Sequence, residues 1–255
     1  MSSTDPSDTL LSAKGLKVYF DLEHYKIRGV RDLFVSAISH PLDFFFKEKE
    51  IFYVLDGVSF NLLRGMRVGI LGVNGSGKTT LCRCLAGMIK PQEGRIETKA
   101  EVRAIFDTGT GVLPELTGRE NALLLARLFF PEVKEIRSLV EEAIEFSELG
   151  HFIDTPFKTY SKGMQSRLLL SLVSAKASDV LILDEVFDGA DLFFQKKMAE
   201  RMKKLIAAAS ATVFVSHSPD QIRQVCNKVM VIDQGKVHYF GEVEEGIKSF
   251  LDLKL

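Results

Sequence analysis

Hydrophobic and polar positions along the chain fall into two rhythms that alternate. In IFYVLDGVSFNLL, residues Ile51, Tyr53 and Leu55, then Val58, Phe60 and Leu62, occupy alternating positions, the period of strands with one buried face. Leu16 to Phe20 predicts a short strand before it, after a polar start from Met1 to about Ser12 that should fray. Met66 to Leu71 is apolar throughout and predicts a strand buried on both sides. A glycine-rich turn and a helix follow, then a turn centred on Gly94 and Arg95 leading into a strand, and a short strand in EVRAIF. From Gly118 to about Ala177 the rhythm becomes helical, over Asn121 to Phe130, Val133 to Phe146 and Ser161 to Ala177. Strands return in VLILD, TVFVS and KVMVID, separated by helices predicted at Phe193 to Ala208 and Pro219 to Val225. A last amphipathic helix spans Val243 to Leu253. Strands alternating with helices predict an α/β fold, a largely parallel sheet covered on both faces, with the helical stretch as an insertion.

Composition adds exclusions. At 255 residues, 46% hydrophobic and 26% charged, the chain suits one globular domain over 1–255. Lys plus Arg at 33 against Asp plus Glu at 34 gives no field that would favour nucleic acid. The longest stretch without an ionised side chain, Leu205 to Pro219, is too short and polar to cross a bilayer. The N-terminus MSSTDPSD lacks the basic start and apolar run of a secretory signal. The three cysteines, Cys82, Cys84 and Cys226, suit inert thiols in a reducing compartment better than disulfides or a zinc site.

Chemistry concentrates at the end of the buried strand. Gly72-Val73-Asn74-Gly75-Ser76-Gly77-Lys78-Thr79 satisfies G-x-x-x-x-G-K-[ST] between a strand and a helix. Its glycines let successive N–H groups curl around an anion, and the following helix adds its positive end. Lys78 should reach the β- and γ-phosphates and Thr79 should hold Mg²⁺, with Thr80 beside them. Downstream, the apolar strand Val180 to Leu183 ends in Asp184 and Glu185, and a buried strand expels charge unless the charge has work to do. Beside a phosphate site, Asp184 can bind Mg²⁺ and Glu185 can orient the attacking water as general base. His217 follows another buried strand and should face the γ-phosphate from the same edge, as a sensor or as the start of a capped helix.

From about Leu16 onward these segments resemble the ATP-binding subunit of an ABC transporter, which implies a P-loop NTPase fold. The expected parts are a RecA-like core, an antiparallel β subdomain and a helical subdomain at 115–177. Tyr160-Ser161-Lys162-Gly163-Met164-Gln165-Ser166-Arg167 is similar to the ABC signature in the form found in exporters of capsular polysaccharide, O-antigen and teichoic acid. Leu116-Thr117-Gly118-Arg119-Glu120-Asn121 and the stretch Asp184 to Asp191 followed by Phe194-Gln195-Lys196-Lys197 resemble the same subfamily. The resemblance implies a head-to-tail homodimer, ATP lying between the phosphate loop of one copy and Ser161 and Gly163 of the other, with Asp191 contacting the opposite copy. The Ser161 segment also reads simply as an N-cap opening a helix. The resemblance further implies two copies of a polytopic permease as partner, a lipid-linked polysaccharide as cargo and a peripheral place on the cytoplasmic face of the bacterial inner membrane.

The sequence departs from the family in two places. Lys162 and Met164 replace signature residues. Where a glutamine is expected, IFDTGTGV offers Asp107, which can bind Mg²⁺ through water. For adenine stacking the choice is Tyr19, with Tyr53 as competitor. The segment 23–50 carries Lys26, Arg28 and Arg31, then Phe44, Phe45 and Phe46, and reads equally as a membrane-interface element or as a covering hairpin. At this length no room is expected for a C-terminal carbohydrate-binding domain. Rival readings are an exporter subunit for another lipid or drug, a soluble ABC ATPase acting on DNA or ribosomes, and a nucleotide-binding regulatory module.

Overall fold

A computed structural model describes residues 8–21, 51–106, 111–184 and 192–253. Asp107, Glu185, Asp191 and the segment 23–50 lie outside the described residues.

The first strand, β1 (Thr9–Asp21), starts at Thr9 rather than Leu16, so the expected frayed start fails from that point. Its early residues are held from both sides: Leu11 pairs with Leu62 of β2 (Ile51–Leu63) and with Thr98 of β4 (Glu93–Thr98). The resulting antiparallel sheet has the order β2-β1-β4. A register shift at Gly57 (φ 79°) inserts one residue into β2, so Leu55 and Val58 both point inward. The expectation that Ile51 and Tyr53 share the buried face with Leu55 is wrong, because both are exposed beyond the reach of the core.

The second sheet has six strands in the order β5-β6-β7-β3-β8-β9. They are β3 (Arg67–Leu71), β5 (Val102–Ile105), β6 (Val180–Asp184), β7 (Ala211–Val215), β8 (Lys228–Asp233) and β9 (Lys236–Gly241). All pair in parallel except β9, an antiparallel edge strand that the sequence reading did not anticipate. The two-residue periodicity sorts its side chains cleanly. Val68, Ile70, Val180, Ile182, Val213, Val215, Met230 and Ile232 pack with the antiparallel sheet and with α1 (Lys78–Leu85). Leu71, Leu181, Leu183, Phe214, Val229 and Val231 face α5 (Leu192–Ala208), α6 (Pro219–Val225) and α7 (Val243–Asp252). Gly69 on that second face lets α6 come close, since a Cβ there would lie 2.7 Å from Ile222.

Between β5 and β6 the chain makes a helical excursion with its own core, built from α2 (Gly118–Phe129), α3 (Ile136–Ser147) and α4 (Lys162–Val173). Leu170 and Val173 carry the end of α4 into the core beneath the sheet. Arg103 of β5 pins the excursion to the sheet. Its guanidinium lies 4.2 Å from the Phe130 ring centroid, donates to the Lys176 carbonyl at 2.9 Å, and pairs with Glu101 and Glu132. Burial lowers its pKa, against the opposing pull of Glu101 and Glu132.

Candidate functional site

The loop between β3 and α1 is shaped by what surrounds it. Gly75 (φ 79°) and Gly77 (φ 105°) adopt left-handed conformations, with Gly77 as the N-cap of α1. A Cβ on Gly77 would fall 2.5 Å from the Val54 carbonyl of β2, and one on Gly72 would fall 2.3 Å from the Ile232 carbonyl and 2.5 Å from Ser76 Oγ. Gly235 completes this collar, its N–H donating to the Ser76 carbonyl at 3.1 Å and its carbonyl accepting from Asp56 N–H at 2.9 Å.

Inside the collar, Lys78 is buried and folds back over the loop. Its Nζ donates to the Gly72 and Val73 carbonyls at 2.9 and 3.0 Å. Ser76 is 2% exposed, and its Oγ has no hydrogen-bond partner among the described residues. An orphaned buried hydroxyl normally costs about 1–3 kcal/mol, so the cradle fits a ligand that supplies the missing partner. The first N–H groups of α1 also lack intrahelical acceptors, as at any helix start. Such a donor set suits a phosphate.

Sheet register brings the other candidates to this edge. Asp184 pairs with Val215 of β7, and Val215 with Ile70 of β3, so the three end level with one another just before Gly72. Asp184 is almost fully buried. Its charge is felt across the site: Cys82, one turn beyond Lys78, has its thiol pushed well up by burial first and then by Asp184, with Lys78 acting the other way. Thr79 is half-buried at the helix start, and the oxygen donors of Thr79 and Asp184 suit a hard divalent cation. His217 stands exposed at the same edge, two residues past Val215. The turn beneath it is fixed by Ser216 Oγ, which accepts from Ser218 N–H at 3.0 Å and donates to Gln221 Oε1 at 2.6 Å. Asn74 and Gly75 lie exposed at the loop tip and Thr80 is half-buried on α1.

Tyr19 and Tyr53, treated as competitors in sequence, are cross-strand partners with ring centroids 5.4 Å apart. They make one aromatic surface, adjacent to Val54 of the collar. Gln92 holds the Tyr19 backbone from both sides, at 3.0 and 3.3 Å.

Ser161 and Gly163 are not part of this cluster. They open α4 at the end roughly 18 Å along the helix from Val173, by the ordinary rise per residue. Ser161 Oγ caps the helix, accepting from Met164 N–H at 3.2 Å. This opening is packed against the start of α2: Tyr160 donates to the Phe152 carbonyl at 2.7 Å, and a Cβ on Gly118 would lie 2.1 Å from the Tyr160 hydroxyl. Asn121, fully buried, donates to the carbonyls of Leu113, Leu116 and Thr117 and accepts from Leu113 N–H.

The sequence reading missed the collar formed by Val54, Ile232 and Gly235. Its one local signal was the hairpin turn at Gln234-Gly235, both with positive φ (45° and 76°). No helix among the described residues is long and apolar enough to cross a membrane.

Residues 55–188 match the family described as ABC transporter. The chain is 35% identical over 91% of its length to the O-antigen export system ATP-binding protein RfbB of Klebsiella pneumoniae, of which it covers 93%. It is 37% identical over 78% of its length to the teichoic acids export ATP-binding protein TagH of Enterococcus faecalis, a longer chain of which it covers 44%. The fold matches the dimeric ATP-binding cassette MJ0796 in its post-hydrolysis state with ADP and Pi, at TM-score 0.67 and 20% identity, over 91% of this chain and 98% of that one.

Proposed function

Because this chain belongs to the ABC transporter family, we propose that it binds and hydrolyses ATP to power export of a lipid-linked polysaccharide across the bacterial inner membrane. The observation that carries the nucleotide reading is the collared loop, with Lys78 and an orphaned Ser76 hydroxyl inside it and Asp184 level with it in the sheet. The kinship with O-antigen and teichoic acid export proteins supports the cargo.

In this reading the N–H groups of Asn74, Gly75, Gly77 and Lys78 cradle the phosphates. Lys78 exchanges its two loop carbonyls for β- and γ-phosphate oxygens, and Ser76 gains its missing partner. Thr79, Asp184 and Asp107 would hold Mg²⁺, whose charge offsets that developing on the phosphates. Glu185, next in sequence after Asp184, takes the proton of the water attacking the γ-phosphate in line, and His217 fixes that phosphate. Tyr19 and Tyr53 together offer the adenine a stacking surface. Two copies lie head to tail, Ser161 and Gly163 of each closing on the nucleotide of the other and Asp191 lining their contact. The dimer sits on two copies of a polytopic permease, at the cytoplasmic face of the membrane.

The test uses the full chain, with and without the permease of its own export system. Glu185→Gln should keep ATP binding, lower turnover about a hundredfold or more and trap an ATP-bound dimer. Wild-type turnover in this variant would remove Glu185 from the role. Unchanged export of cell-surface polysaccharide after deletion of the chain would overturn the cargo.

A further inference from the structure

Within the segment Phe194-Gln195-Lys196-Lys197, the side chains of Phe194 and Lys197 make charge and ring contacts that join α5 to α3 and α4. Phe194 is fully buried, its ring edge-on to Phe146 of α3 at 5.9 Å. The guanidinium of Arg167, on α4, lies 5.2 Å from the Phe194 ring centroid. One turn along α5, Lys197 sits 4.5 Å over the Phe146 ring, donates to the Phe146 carbonyl at 3.0 Å and pairs with Glu148. A further turn on, Arg201 lies 4.0 Å over the same ring and pairs with Glu142. Positions 194, 197 and 201 share one face of the helix, and from that face two cations approach the Phe146 ring.

The electrostatics explain why cations are used. The last turn of α3 carries no basic residue of its own, and its C-cap Glu148 adds a negative charge in a left-handed conformation. Lys197 therefore supplies from another element the positive charge that a helix C-terminus favours. Ion pairs and carbonyl bonds are directional where apolar packing is not, so they fix how α5 sits on α3.

We propose that Phe194, Lys197 and Arg201 form a positioning clamp that ties α5 to α3 and, through Arg167, to α4, the helix that opens with Ser161 and Gly163. Together with the Arg103 pin and the packing of Leu170 and Val173, the clamp sets the opening of α4 relative to the parallel sheet. The role rests on the proposed reading that Ser161 and Gly163 close on the nucleotide of a second copy. None of the three clamp residues touches nucleotide.

ATP-driven dimerisation of the full chain carrying Glu185→Gln, followed by analytical ultracentrifugation, tests this. Adding Lys197→Met should raise the ATP concentration for half-dimerisation about tenfold, the scale for loss of a part-buried ion pair. Affinity of the monomer for a fluorescent ATP analogue should not change. Lys197→Arg, which keeps the positive charge and the donor, should instead dimerise as the parent does, and remains readable should Lys197→Met fold poorly. An unshifted half-dimerisation point, with only a lower melting temperature, overturns the clamp, as does a Lys197→Arg variant that dimerises no better than Lys197→Met. A Glu185→Gln parent that stays monomeric at saturating ATP overturns the dimer reading and the clamp's role with it. A parent that dimerises beside an unshifted Lys197→Met overturns the clamp alone.

Discussion

At Gly72 a single hydrogen stands where any other residue would carry a carbon into the Ile232 carbonyl, 2.3 Å away. Backbone cannot swing aside as a side chain can, so Gly72→Ala must displace the loop or the β8 end. We expect a stability loss of about 1–3 kcal/mol in denaturant unfolding, the usual cost of overpacking, together with weakened ATP binding by titration. Unchanged values for both would show that the collar yields. Residues of this kind are legible in sequence because the chemistry itself demands them: an anion-wrapping loop needs glycine, and an anion needs Lys78. The carbonyls that hold Lys78 and the Val54–Gly235 collar were not legible. They are backbone atoms, the first from the loop itself and the collar from distant strands, and no side-chain type advertises them. For the thiols, burial raises Cys84 to about 11 and Cys226 to about 12, consistent with the inert role read from their number and spacing.

At the scale of elements, α2 shows how a block noticed for its resemblance has a local physical reason. Thr117 Oγ1 accepts from Glu120 N–H at 3.2 Å, and the Glu120 carboxylate accepts from Thr117 N–H at 2.8 Å, a reciprocal cap on the helix start. Thr117→Ala should cost about 1 kcal/mol by equilibrium unfolding; no loss would mean the cap is redundant with Asn121. The hydrogen bonds from Thr117 hold the Glu120 carboxyl below its ordinary 4.5. A depressed carboxylate contributes stability that is present above the unfolded pKa and lost as pH falls through the folded one. The difference between wild type and Glu120→Gln should therefore shrink on acidification below about pH 4.5. Strands and helices with strong periodicity were readable from the sequence, whereas β9 was not. Its residues alternate between exposed and half-buried positions on a sheet edge, leaving no fully buried side to mark the period. The early part of β1 was hidden for a different reason: partners on β2 and β4, remote in sequence, order it.

For the molecule as a whole, the division into cores matters most. The helices α2, α3 and α4 bury their own cluster, joined to the sheet through Leu170, Val173 and the Arg103 pin. Such an arrangement opens in parts, each with its own free energy. Hydrogen exchange should show amides of α2 and α3 opening as one unit before those of β3, β6 and β7. Arg103→Met should speed the first set about tenfold and leave the second nearly unchanged, the effect of losing buried charge-assisted hydrogen bonds at the join. A uniform change in both sets would mean the molecule opens only as a single unit.

The strands that send out and receive this excursion, β5 and β6, are parallel neighbours, with Ile105 level with Leu183 and Val102 level with Val180. Departure after Ile105 and return at Val180 therefore lie at opposite ends of the two strands, about 11 Å apart, from three residues of rise combined with one inter-strand spacing. A transplanted helical excursion must bridge that gap and also remake the joins at Arg103, Leu170 and Val173, none of which belongs to the cradle around Lys78.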